Sequence, residues 1–175
     1  IMYNVLFSAN SANNSGGGII LKDDADLIAT HLYLIDNTAD GLGGGLYINN
    51  ADSQIENLLV ADNISSSGGG IYVRNSSTVQ INNATIANNV AATYGGGFYL
   101  RDGADVSLNN SILFGNNESQ VYFRSTGDDV EFTVNYSLVQ DGEDGIIDND
   151  NGDVNWEEGN IDGDPYFCNA PIGNS

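Results

Sequence analysis

Gly68-Gly69-Gly70-Ile71-Tyr72-Val73-Arg74 decides how this chain folds, because the pattern recurs. Three glycines and an apolar residue stand again at Gly16-Gly17-Gly18-Ile19-Ile20-Leu21-Lys22, at Gly43-Gly44-Gly45-Leu46-Tyr47-Ile48-Asn49 and at Gly95-Gly96-Gly97-Phe98-Tyr99-Leu100-Arg101, so successive triplets lie 27, 25 and 27 residues apart. A fixed period in the twenties, with short strand-like runs and no helical pattern, marks a repeat whose unit cannot bury its apolar face alone.

Between triplets the repeat reads as three short strands separated by turns. In the first strand, Ile19, Leu46, Ile71, Phe98, Val121 and Ile146 share one column, and Leu21, Ile48, Val73, Leu100 and Phe123 share another two residues on. Between them run Ile20, Tyr47, Tyr72, Tyr99, Tyr122 and Ile147, then Lys22, Asn49, Arg74, Arg101 and Arg124. Side chains alternate across a strand, and an unpaired Arg is costly to bury, so the aliphatic columns face inward and the Tyr and Arg columns outward. The second strand carries Leu27 and Ala29, Ser53 and Ile55, Val79 and Ile81, Val106 and Leu108, and Phe132 and Val134; a turn marked by Asn57, Asn83 and Asn110 follows. In the third, Phe7, Leu34, Val60, Ile86 and Leu113 each precede by three residues an Asn, giving rungs at Asn10, Asn37, Asn63, Asn89 and Asn116.

Such alternation without helix predicts an all-β right-handed parallel β-helix, about six coils of 25–27 residues with three short strands each. Coils stacked at about 4.8 Å satisfy one another's backbone groups. The glycines supply positive φ at the sharp bend, and stacked Asn residues bond one another as a ladder. Residues 1–145 hold the repeats; residues 146–175 read as a last partial coil and a C-terminal tail or cap of the same domain. We expect the chain to be a piece of a longer protein.

The composition sets what this solenoid can meet. Twenty-four acids against four bases give a net charge of −20, which repels phosphate backbones and anionic headgroups, so nucleic acid is excluded as a partner. No apolar run approaches a membrane span, so direct membrane insertion is not expected either. Cys168 is the only cysteine; it excludes an internal disulfide or zinc cluster and reads as incidental.

The apolar-x-x-Asn signature (Phe7 to Asn10, Ile86 to Asn89) followed by Gly-Gly-Gly and an aliphatic or aromatic residue resembles the polymorphic outer-membrane protein repeats of bacterial surface proteins, over roughly residues 4–120. Two departures stand out: a third glycine replaces the usual Ala, and among the rungs Phe is kept only at Phe7. Gly159-Asn160-Ile161-Asp162-Gly163-Asp164-Pro165-Tyr166-Phe167 is similar to a segment that closes many secreted proteins of the pectate-lyase-like β-helix superfamily. The resemblance implies an exported bacterial protein, secreted or on the cell surface, and no defined reaction, since the fold hosts lyases, hydrolases, adhesins and passengers alike.

All four basic residues, Lys22, Arg74, Arg101 and Arg124, fall in one column beside Tyr47, Tyr72, Tyr99 and Tyr122. Like charges one coil apart repel unless neutralised. Three readings stay open. One is pairing with Asp23, Asp102 and Asp128-Asp129; another is a glycan along the strip, its rings stacked on Tyr and its carboxylates held by Arg74, Arg101 and Arg124. A protein partner is the third. An outward apolar column in the third strand, Leu6, Tyr33, Leu59, Thr85, Ile112 and Leu138, is a candidate for self-association or for cover by the tail.

Asp148, Asp150 and Asp153 alternate around Gly152 in a way that suits calcium, without the spacing of an EF-hand; a solvated acidic turn is the plainer reading. His31, alone in the Asn57 column, reads as a surface residue. Acids are nearly absent from the outward strand columns, where glycoside hydrolysis would need a pair. The functional expectation is therefore a stalk or adhesin-like module that binds glycans along its Tyr/Arg face. The alternative is a fragment of a lyase or hydrolase acting on acidic polysaccharide.

Overall fold

The computed structural model describes residues 1–167, so Cys168 lies outside the described residues. Every strand pairing within it is parallel, and the strands form three sheets stacked along a solenoid, two running its length and the third, of four strands, ending at Tyr94. The first sheet stacks the post-glycine strands Ile19–Lys22, Leu46–Asn49, Ile71–Arg74, Phe98–Leu100, Val121–Phe123 and Ile146–Ile147 in the register that the columns predict, with Ile71 on Leu46 and Phe98 on Ile71. Leu46, Ile48, Ile71, Val73, Phe98, Leu100, Val121 and Phe123 are fully buried, so the parity argument places the core correctly.

The division of the remaining strands differs from the expected one. In the earlier repeats the second and third strands run on as one bent strand, Leu27–Ile35, Ser53–Ala61 and Thr78–Ala87, while in the later ones the same bend separates two strands, Asp105–Asn109 from Ile112–Phe114 and Val130–Asn135 from Leu138–Val139. The bend is a single left-handed residue, stacked coil on coil: Asn4 (φ +54°), His31 (+57°), Asn57 (+58°), Asn83 (+58°), Asn110 (+50°), Tyr136 (+47°) and Gly159 (+76°). What looks like a turn in the sequence is a one-residue kink that redirects the chain while the ladder continues on either side. His31 is half-buried there, edge-on to Tyr3 at 5.7 Å. The third sheet lies instead between Asn rung and glycine triplet: Ser11–Ala12, Thr38–Ala39, Ile64–Ser67 and Val90–Tyr94.

The Asn ladder forms as expected, but in its own geometry. The left-handed residue is the one before each rung (Ala9, Asp36, Asp62, Asn88, Gly115), which turns the Asn side chain inward. Asn37, Asn63 and Asn89 are completely buried. Each amide nitrogen donates to the Oδ1 of the next Asn towards the C-terminus, at 2.9 Å from Asn10 to Asn37, 3.0 Å from Asn37 to Asn63, and 2.9 Å at the following two steps. Its second proton goes back to a carbonyl, as Asn63 Nδ2 does to Leu34 O at 2.8 Å. Where no sixth Asn follows, Gln120 closes the chain, taking the Asn116 amide proton at 2.7 Å.

The glycine triplets are not uniform either. Only the first of each has positive φ, between +63° and +65° at Gly16, Gly43, Gly68 and Gly95. The second and third are required by close approach. A Cβ on Gly44 would lie 2.4 Å from the Gly69 carbonyl oxygen of the next coil and 2.7 Å from Ile64 O. At the far end, Gly152–Trp156 and Ile161 still add parallel rungs, on Val130–Asn135 and on Leu138.

Candidate functional site

The basic column gathers on one carboxylate. Asp102 follows Arg101 directly, in a left-handed conformation (φ +50°), and its side chain is mostly shielded from solvent. Arg101 Nε donates to its Oδ2 at 2.5 Å; Arg74 from the coil on one side stands 3.7 Å from Oδ2, and Arg124 from the other side 3.8 Å from Oδ1. Parallel stacking produces this placement, since Arg101 N bonds Val73 O and Arg124 N bonds Leu100 O. Gly127 completes it, because a Cβ there would sit 2.4 Å from Asp102 Oδ1. Three guanidinium groups against one carboxylate leave a surplus of positive charge on a chain of net charge −20. Arg74 Nε, shielded from solvent, has no partner among the described residues.

Of the three readings of the column, the pairing reading is therefore half met. Asp102 neutralises part of the charge, and Asp128 and Asp129 make no ion pair with it among the described residues. Lys22 stands apart, 3.9 Å from Asp23 and exposed, separated from Arg74 by Asn49.

The tyrosines lie on the outer side of the sheet, as expected, yet Tyr47, Tyr72 and Tyr99 are buried, Tyr72 to 2% exposure. Their rings pile face to face along the axis, with centroids 5.4 Å apart from Tyr47 to Tyr72, 4.9 Å from Tyr72 to Tyr99 and 5.5 Å from Tyr99 to Tyr122. The coil rise of about 4.8 Å is close to the thickness of stacked rings, so an identical column of Tyr self-stacks. The expected stacking of a ligand on open Tyr faces is not available along this stretch, because the ring faces between Tyr47 and Tyr122 cover one another. Tyr94 joins the pile, 4.6 Å from Tyr122, and Leu42 packs on it too. Sequence reasoning missed both, although each occupies the position before a glycine triplet. Beside Tyr47, the first ring, a depression of about 490 Å³ opens between Lys22, Asn49, Ile20, Asn13 and Asn14.

Burial pushes the Tyr99 hydroxyl up to about 12, with neighbouring Tyr72 adding to it. Burial raises Tyr72 as well, against the opposing pull of Arg101. Burial works against the Arg101 charge, but the Tyr72 hydroxyl and Asp102 beside it outweigh that and hold the guanidinium more firmly protonated than usual. The folded state thus favours neutral phenols at Tyr72 and Tyr99. Their stabilisation is intact below about pH 10, the ordinary tyrosine value, and is lost as pH rises towards 12. In a spectrophotometric titration, Tyr72 and Tyr99 should ionise above the ordinary tyrosine value, Tyr99 only at about pH 12, together with loss of the near-ultraviolet circular dichroism. A single phenolate transition near pH 10 with the fold intact would contradict the stack.

The other expected features are less concentrated. Asp148, Asp150 and Asp153 are not brought together: Asp148 accepts from Asp150 N within a turn, Asp153 lies in the last strand, and among the described residues no group of three or more His, Cys, Asp or Glu is placed to hold a metal. The column Leu6, Tyr33, Leu59, Thr85, Ile112, Leu138 is in register and half-buried apart from exposed Leu6. Among the described residues the tail extends this column, with Ile161 bridging Leu138 as a seventh rung and Pro165 beside the depression that Ile112 and Leu138 line.

Residues 17–163 match the sequence model of a family described as the right-handed β-helix region. The chain belongs to that family. No curated protein and no solved structure gave a match. The surface of this right-handed β-helix carries an aromatic pile, a guanidinium cluster organised on Asp102, and a depression beside Lys22 and Tyr47.

Proposed function

We propose that this β-helix is a module of an exported bacterial surface protein, a stalk that binds an acidic glycan along the outer face of its post-glycine sheet. The observation that carries the reading is the triple pairing of Arg74, Arg101 and Arg124 on the single carboxylate of Asp102. A stack of like charges is costly in a structural coil and is suited to holding an anion. Guanidinium forks match carboxylate and sulfate groups in a bidentate way, and the depression at Lys22 and Tyr47 gives a chain of hydroxyls room at the end of the strip. The resemblance of the repeats to polymorphic outer-membrane proteins supports the location.

Binding of polygalacturonate, measured by titration at low salt, tests this. Arg74→Ala combined with Arg124→Ala should weaken it at least tenfold, which is about 1.4 kcal/mol, and raising the salt should weaken the wild type in the same direction. Asp102→Asn should tighten binding, because it frees the guanidinium groups for the ligand. Equal affinity in wild type and double variant would end the reading. Release of unsaturated or reducing ends from the polymer would replace it with a lyase or hydrolase.

A further inference from the structure

A second strip lies on a different sheet. Along the first half of the bent strands, two outward columns stand side by side, Gln80, Ser107 and Thr133 in one, Asn82, Asn109 and Asn135 in the other. Between them, over the backbone of inward Ile81 and Leu108, runs a groove of about 260 Å³. It continues past Gln80 and Asn82 into a second stretch of about 170 Å³ beside Gln54 and Thr30. At about 4.8 Å per coil the two together span roughly 20 Å along the axis. Apart from Glu56, which stands between Thr30 and Asn82, the lining carries no ionisable side chain.

Two features of this groove are unexplained by folding. Asn109 Oδ1 and Asn135 Oδ1 are shielded from solvent, and neither has a hydrogen-bond partner among the described residues. The amide nitrogen of Asn109 donates to Asn82 Oδ1 at 3.1 Å, at the exposed side of the column. A carbonyl oxygen shielded without a donor is a standing cost that a donor from outside would remove.

We infer that this groove binds an uncharged, polyhydroxylated chain, a neutral polysaccharide laid along the solenoid axis. Asn109 and Asn135 accept protons from its hydroxyls, while the Gln80 amide and the hydroxyls of Ser107 and Thr133 exchange hydrogen bonds with it from the other wall. Hydroxyls both donate and accept, which suits walls that mix amides and hydroxyls. An extended peptide fits less well. Along the axis it turns an N–H to the same side only about every 6.7 Å, out of step with acceptors one coil apart, and the groove's lining offers its side chains one exposed apolar residue, Ile28, at the far end from Asn109 and Asn135.

Affinity electrophoresis through gels containing hydroxyethyl cellulose, glucomannan, xyloglucan or dextran is the test. At least one of these polymers should retard the wild type, and Asn109→Ala with Asn135→Ala should weaken that retardation at least tenfold. Ser107→Trp, an outward side chain that fills the groove, should abolish it while leaving the thermal transition in place. Retardation should be indifferent to salt and to Arg74→Ala with Arg124→Ala, which separates this groove from the guanidinium strip. The inference fails if none of the four polymers retards the wild type, or if both groove variants run as the wild type does. Retention on immobilised gelatin peptides and by none of the polymers would give the groove to a peptide and overturn it as well.

Discussion

Asn63→Ala is expected to cost the fold about 3–5 kcal/mol, a large share of the roughly 5–15 kcal/mol that holds a domain together. The side chain removed is completely buried and makes four hydrogen bonds: Oδ1 accepts from Asn37 N at 2.9 Å and from Asn37 Nδ2 at 3.0 Å, and Nδ2 donates to Leu34 O at 2.8 Å and Asn89 Oδ1 at 2.9 Å. Asn89 Oδ1 keeps a donor, the Asn63 backbone N–H, and Asn37 Nδ2 keeps its bond to Phe7 O. What is left without partners is the Asn37 N–H, one Asn37 amide proton and a lone pair of Leu34 O. Each is too deep for water, and unmade bonds of this kind cost about 1–3 kcal/mol apiece. Because bonds in a chain polarise one another, the loss extends to the rungs on either side. Urea unfolding measures it, with Asn13→Ala, an exposed Asn, as the control expected to shift stability by no more than about 0.5 kcal/mol. A loss under about 1 kcal/mol for Asn63→Ala would mean that the ladder is ornament.

Gly44→Ala should be nearly as damaging, for a different reason. Gly44 does not have positive φ, so alanine meets no conformational penalty there. It meets backbone: Gly69 O at 2.4 Å, Ile64 O at 2.7 Å and Ile64 N at 2.8 Å. None of these atoms is the end of a side chain that could swing away. The coils must separate locally, which lengthens Gly44 N to Gly68 O and Gly45 N to Gly70 O, now 3.2 and 3.0 Å. Overpacking of this sort costs about 1–3 kcal/mol in cores that can relax, and more where the obstacle is main chain. Gly163→Ala, with nothing within 4 Å of the added atom, should leave the urea midpoint unchanged. Similar midpoints for the two variants would show that the triplets serve chain flexibility alone.

The two substitutions also show what kind of information the sequence carried. Parity placed the inward columns, because burying Leu46, Ile71 and Phe98 leaves a period of two that nothing else explains. It could not separate one bent strand from two, since a single left-handed residue at Asn57 or Asn83 has the same composition as a short turn. The third sheet was invisible for a related reason. Its inward residues, Ala39, Ser65 and Ala91, are small, so Thr38–Ala39, Ile64–Ser67 and Val90–Tyr94 show no apolar alternation.

At the candidate site the Arg column was legible as an anomaly of charge, but its hub was not. Asp23, Asp102, Asp128 and Asp129 are equivalent on paper. Only Asp102 sits on the middle coil, between Arg74 and Arg124, with Gly127 making room for its carboxylate. The burial of an outward Tyr column was also out of reach of alternation rules, which say which way a side chain points and not what its neighbours above and below do to it.

The aromatic pile gives the molecule its own optical instrument. Rings about 5 Å apart and nearly parallel couple electronically, so the near-ultraviolet dichroism of Tyr47, Tyr72, Tyr99 and Tyr122 reports the spacing of the central coils directly. The chain's one tryptophan, Trp156, lies in the last strand, at a different height on the same axis. In a solenoid, where each coil touches only its neighbours, fraying from the C-terminal end registers as a change in Trp fluorescence while the tyrosine signal persists. Two unlabelled colours can thus time the unzipping of the coil from one end to its middle.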